Sequence, residues 1–91
     1  MMHNIPLPSE SVHDYRAGYS QVMWFAEQAR HRGWFMSDRQ LIHEIMQRER
    51  AAEIREQSSL PMIGPNVHSA AWNRGQADAL RTILRLQYER S

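Results

Sequence analysis

The chain has 91 residues but no cysteine and no lysine, and its longest notable apolar run is short, Val22 to Ala26. Without cysteine, neither a disulfide nor a thiolate metal site can stabilise the fold. The apolar run is far too short to span a bilayer, and the N-terminus lacks the basic start and apolar core of a signal peptide. We therefore expect a cytoplasmic protein that does not associate with membranes.

The charge balance argues against a strongly basic nucleic-acid binder. All 11 basic residues are arginine, and 10 acidic residues bring the net charge to +1. An arginine-only set is typical of a GC-rich bacterial genome, although the planar guanidinium also suits protein interfaces. A chain of this length forms one domain, close to the size at which burial only just offsets chain entropy. Because no covalent staple is available, we expect a homodimer.

The N-terminal arm and the first helix are separated by proline. Pro6 and Pro8 disfavour helix, so residues 1–8 are predicted to be a flexible arm and residues 9–91 a single helical domain. Gly33 is placed to end the first helix in the left-handed conformation. The apolar residues between these points recur at helical spacing on one side: Val12, Tyr15, Tyr19, Val22, Met23, Ala26 and Ala29.

The second helix has a clear start signal. Ser37 and Gln40 make a capping box, and Met36 and Leu41 are spaced as a hydrophobic staple. Its predicted buried side consists of Leu41, Ile42, Ile45, Met46 and Ala52. Residues 58–67 are predicted to be a loop whose apolar residues Leu60, Met62 and Ile63 fold back onto the core. Asn66 or Ser69 is expected to cap the third helix.

The third helix carries two adjacent apolar stripes, so it is predicted to be central or shared with a second copy. One stripe consists of Ala70, Ala77, Leu80, Leu84 and Tyr88. The other is predicted to form the homodimer seam: Trp72, Gly75, Ala79, Ile83 and Leu86. Gly75 and Ala79 form a small-residue step where another backbone can approach closely. The pattern predicts an all-α fold, a small antiparallel bundle of three helices over about 9–33, 37–57 and 68–89.

The search for catalytic chemistry yields no complete motif. His43 and Glu44 begin a zinc-protease pattern, but Gln47 stands where the second histidine ligand is required. The histidines have no metal-ligand spacing, and no nucleophile turn or phosphate-binding loop is present. We therefore expect a non-catalytic protein with no cofactor and no metal.

An aromatic surface near the first helix end is the best functional candidate. Trp24 falls opposite the apolar stripe, and tryptophan with arginine commonly anchors interfaces. The predicted partner-binding residues are Trp24, Phe25, Gln28, His31, Arg32, Trp34 and Phe35. Two alternatives stay open: Trp24 covers a helix in a dimer, or Arg30, Arg32 and Arg39 around the aromatics bind DNA or RNA. The weak charge balance disfavours nucleic acid.

The segments DYRAGYSQVMWFAEQARHRGWF (14–35) and HSAAWNRGQADALRTILRL (68–86) resemble a QslA-type quorum-sensing anti-activator. The resemblance covers most of the chain in size, helical order and texture, without a diagnostic motif. It implies a small helical dimer that binds the ligand-binding domain of a LuxR-type transcription activator and disrupts that activator's dimer. Small phage-encoded inhibitors of host proteins share the same texture and are the alternative.

Overall fold

A computed structural model of the protein describes residues 8–57 and 68–90, with side chains described from residue 12 onward. This part of the chain consists of three helices, α1 (Pro8–His31), α2 (Asp38–Gln57) and α3 (Ala70–Arg90), without a strand. The all-α prediction is confirmed, and every helix end lies within two residues of its predicted position. Pro8, assigned to the arm, is instead the first residue of α1, a position where its missing N–H costs nothing. The predictions for Leu60, Met62, Ile63 and Asn66 fall outside the described residues.

The end of α1 is a left-handed glycine cap. Gly33 has a φ of 72°. The N–H of Trp34 donates to the carbonyl of Ala29 at 2.9 Å, and the N–H of Gly33 donates to that of Arg30 at 3.0 Å. These two bonds make a Schellman motif, which satisfies carbonyls at the helix end and turns the chain sharply. The predicted role of Gly33 is confirmed.

The starts of α2 and α3 are capped by serine, as predicted. Ser37 Oγ accepts from the Gln40 N–H at 3.1 Å, and Gln40 Oε1 accepts from the Ser37 N–H at 3.1 Å. This reciprocal pair satisfies two backbone donors that the helix cannot. Ser69 Oγ accepts from the Trp72 N–H at 3.1 Å and caps α3 in the same way.

Helix α3 lies between the other two. Tyr15 bonds Asp78 and Tyr19 bonds Thr82, so α1 runs parallel to α3. Gln87 reaches the Met36 carbonyl while Arg48 reaches Gln76, so α2 runs antiparallel to α3. Among the described residues, α1 and α2 have no Cα atoms within 8 Å of each other. Helix α3 is therefore central among the described helices, which is the first of the two alternatives that its sequence left open.

Helices α1 and α3 cross at a pair of glycines. A Cβ on Gly18 would lie 2.2 Å from the Trp72 carbonyl oxygen, and one on Gly75 would lie 2.1 Å from the Tyr15 carbonyl oxygen. Both distances are far below van der Waals contact, so any side chain at either position would push the backbones apart. The close approach predicted at Gly75 exists, and its partner is α1 of the same chain.

The hydrophobic core lies along the interface between α2 and α3. Leu41, Ile45, Ala77 and Leu80 form its centre, with Ala52 and Ala79 also fully buried. The prediction that Ile42 and Met46 are buried is wrong, since both are about half exposed or more. They lie one residue, or about 100°, beyond Leu41 and Ile45, and among the described helices only α3 packs on α2 to cover it. Val12 is likewise exposed at the start of α1.

Candidate partner-binding groove

A groove remains open because α1 and α2 pack on α3 but not on each other. Its volume is about 380 Å³. Helix α3 forms the floor, α1 and α2 form the walls, and the chain between them closes one end. We call this feature the α1–α2 groove; it is lined by Gln21, Val22, Phe25, Ala26, Ala29, Trp34, Phe35, Met36, Leu41, Glu44, Arg48, Trp72, Gln76, Leu80, Ile83 and Gln87.

One end of this groove carries exposed aromatic side chains. Phe25, Trp34 and Phe35 all line the groove, yet their exposed fractions are 57%, 63% and 59%. Trp24 is 59% exposed and packs edge-to-face on Phe25, with ring centroids 5.2 Å apart. The Schellman motif at Gly33 places Trp34 here, since it reverses the chain directly after α1. We call these four residues the aromatic rim.

The remaining residues of the predicted partner surface lie outside the groove. Gln28, His31 and Arg32 are exposed near the end of α1. Glu27 accepts from Arg30 at 2.7 Å and lies 3.2 Å from His31 Nε2. The hydrogen bond from Arg30 lowers the pKa of Glu27, and the charge of the same guanidinium acts in the same direction. The structure therefore brings Phe25, Trp34 and Phe35 together, with Trp24 beside them, and leaves the polar members around the edge.

The other end of the groove is polar, and its polar groups already bond one another. Gln76 is buried on α3; its Oε1 accepts from Arg48 Nε at 3.2 Å and its amide donates to Gln21 Oε1 at 3.0 Å. Arg48 also binds Glu44. Within the described part of the chain, no buried side-chain polar atom lacks a partner. This end therefore offers no unsatisfied group that calls for a polar ligand.

The residues predicted for the homodimer seam are divided between the interior and the surface. Gly75 and Ala79 are buried within the chain. Trp72 and Ile83 are half-buried and line the α1–α2 groove, whereas Leu86 is exposed. The small-residue step thus has an explanation inside a single chain, and the homodimer itself stays a prediction.

Sequence reasoning missed two residues that organise this region, Gly18 and Gln76. Gly18 could have been found by the argument used for Gly75, because a glycine inside a helix costs about 1 kcal/mol unless a close approach requires it. Gln76 had no comparable signal. Its burial depends on being flanked by α1 and α2 together, which periodicity along one helix does not reveal.

The described residues give no indication of a metal or membrane site. They contain no group of three or more histidine, aspartate or glutamate side chains arranged to hold a metal ion. None of the three described helices is long and apolar enough to cross a bilayer. What the fold and the groove define is a three-helix protein with an open, aromatic-rimmed surface.

Comparison of the chain with models of protein families, with curated proteins and with solved structures gave no match.

Proposed function

We propose that this chain is a small non-catalytic regulator that binds a larger cytoplasmic protein stoichiometrically and inhibits it. The most plausible target is a transcription activator that must dimerise, of the LuxR type that the resemblance to QslA-type anti-activators implies. The observation that carries the proposal is the aromatic rim. Three large aromatic side chains line one end of the groove and a fourth, Trp24, packs on Phe25; each of the four is more than half exposed.

The size of the aromatic rim supports a protein partner. An aromatic side chain presents roughly 150–250 Å², so four at the observed exposures leave roughly 500 Å² of aromatic surface open. Monomeric proteins rarely leave larger apolar patches exposed, and such patches commonly bind other proteins. A stable interface takes roughly 800 Å² from each partner, so the rim supplies more than half of that area. Such a surface competes well with an apolar dimer interface in an activator.

Fewer arginines around the rim are free to bind nucleic acid than the sequence alone indicates. Arg30 is held by Glu27 and is not free for a phosphate. Arg32, Arg39 and Arg90 remain at this end, and three cations give little of the counterion release on which nucleic-acid affinity depends. A protein partner therefore fits this surface better than DNA or RNA does.

The test is a pull-down from native cytoplasm followed by reconstitution with the recovered protein. We expect recovery of a transcription regulator that loses both its dimer and its DNA binding when this chain is added. Trp24→Ala should weaken binding more than tenfold, since truncating a central anchor typically costs about 2–4 kcal/mol. The helical melt should change little, because Trp24 is largely exposed.

The matched control is Met46→Ala. Met46 is similarly exposed but lies on α2, outside the aromatic rim, so its truncation should leave binding unchanged. Recovery of nucleic acid alone, or equal losses from the two variants, would contradict the proposal. Unfolding of Trp24→Ala would show that Trp24 belongs to the structure of the chain rather than to its partner surface.

A further inference from the structure

The groove has the proportions of a helix-binding site. Its floor extends along α3 from Trp72 to Gln87, about 22 Å or four helical turns. No strand edge is present in the described chain, so an extended peptide would find no backbone partners there. A helix satisfies its own backbone and presents apolar side chains at i, i+4 and i+7, which is how amphipathic helices fill such grooves.

Three arginines lie near the aromatic end: Arg32 and Arg39 flank Trp34 and Phe35 along the chain, and Arg90 lines a smaller pocket together with Phe35. Arg32, Arg39 and Arg90 form no ion pair with any described residue. Of the carboxylates at this end, Glu27 is already held by Arg30 and His31, and Asp38 lies in the first turn of α2, where it interacts with the positive end of that helix. Glu89 is the third. The available cations favour carboxylates on the occupant and disfavour a second copy of this chain, whose own arginines would meet them in a symmetric contact.

We infer that the α1–α2 groove binds an amphipathic helix of about four turns from the partner, with acidic residues at the end that meets Arg32 and Arg39. The inference rests on the proposed function only in taking the partner to be a protein. It adds the binding mode and the chemistry of the partner segment.

The probe is a 15-residue peptide with leucines at i, i+4, i+7 and i+11 and two glutamates at one end, made in two versions with the glutamates at either terminus. One control peptide carries lysines in place of the glutamates, and another has the same composition with its leucines spread around the helix. Binding is followed by the protein's tryptophan fluorescence and by ¹⁵N-resolved chemical shifts. We expect one glutamate peptide to bind at least tenfold more tightly than both controls, with shifts at Ala26, Leu80 and Ile83.

The charge requirement is tested with the double variant Arg32→Glu/Arg39→Glu, both sites being exposed. The double variant should bind the glutamate peptide at least fivefold more weakly than the parent does, and it should prefer the lysine peptide. Arg50→Glu, an exposed arginine of α2 that does not line the groove, should leave both affinities unchanged. The inference is overturned if no peptide binds at high micromolar concentration, if the control peptides bind as well, or if the shifts map to Ile42 and Met46.

Two further outcomes separate this inference from the proposed function. If the double charge variant loses the peptide but still captures and inhibits the regulator, the helix-in-groove mode is wrong and the regulatory proposal stands. If Trp34→Glu converts a parent dimer into a monomer, the groove is occupied by a second copy, which likewise overturns the inference.

Discussion

Tyr15 ties α1 to α3 through a hydrogen bond whose strength depends on pH. Its hydroxyl donates to Asp78 Oδ2 at 2.5 Å. The bond to Asp78, partial burial and the negative charge of the same carboxylate raise the pKa of Tyr15 to about 12. The proton is therefore held more tightly in the folded chain than in the unfolded one, whose tyrosines titrate near pH 10. This contribution to stability is fully present below about pH 10 and is lost as the pH rises towards 12.

We therefore expect Tyr15→Phe to lower the free energy of unfolding by about 1 kcal/mol at pH 8, as for a typical lost hydrogen bond. The variant should also lose less stability than the parent between pH 9 and pH 11.5. Urea unfolding at a series of pH values measures both effects. Parallel losses in the parent and in Tyr15→Phe would show that Tyr15 is not the group responsible.

The contact between α1 and α3 is set by the glycine crossing. Replacing a helical glycine with alanine ordinarily stabilises a helix by about 1 kcal/mol. At Gly18 the new Cβ would lie 2.2 Å from the Trp72 carbonyl oxygen, and a backbone atom cannot move aside as a flexible side chain can. Such overpacking costs typically about 1–3 kcal/mol and more when backbones must separate. The overlap therefore outweighs the gain in helix propensity.

We expect Gly18→Ala to destabilise the protein by about 2 kcal/mol, a net value that combines the overlap with the propensity gain. Thermal melts followed by circular dichroism give the measurement. Ser20→Ala, at an exposed position on the same helix, is the matched control and should stabilise slightly. A melting temperature of Gly18→Ala equal to or above the parent's would mean that the two helices do not cross this closely.

The elements themselves were largely predictable because their signals are local. The capping box at Ser37, the serine cap at Ser69 and the left-handed Gly33 each depend on residues within a few positions along the chain. The same holds for Trp24, whose exposure follows from its place opposite the apolar stripe of α1. Ile42 and Met46 show the limit of local reasoning, since an apolar residue on the flank of a stripe is buried only if a second helix covers it.

At the scale of the whole molecule, the homodimer prediction needs a test other than substitution of Ala79. That residue is fully buried within the chain, so an arginine there would unfold the protein whatever its oligomeric state. Leu86 is the exposed member of the predicted seam. If the seam forms, light scattering at tens of micromolar should give the mass of two chains, and Leu86→Glu should give one.

The control for the seam is Ile54→Glu, an exposed apolar position on α2 outside the predicted seam. By light scattering, this variant should have the same mass in solution as the parent protein. A monomeric parent at tens of micromolar would make an interface of roughly 800 Å² per partner untenable and the homodimer prediction wrong. The aromatic rim would then remain an exposed apolar surface open to a different protein.

The sequence by itself determined the three helices and the caps at Gly33, Ser37 and Ser69, because helical periodicity and capping act over a few residues. It also indicated the aromatic rim, because Trp24, Phe25, Trp34 and Phe35 are close together along the chain. Only the tertiary structure decided that α1 and α2 leave a groove between them, that Gly75 meets α1 of its own chain, and that Gln76 joins Gln21 to Arg48. These features depend on which faces of three helices meet and at what distance, and contacts between residues some thirty to sixty positions apart decide that.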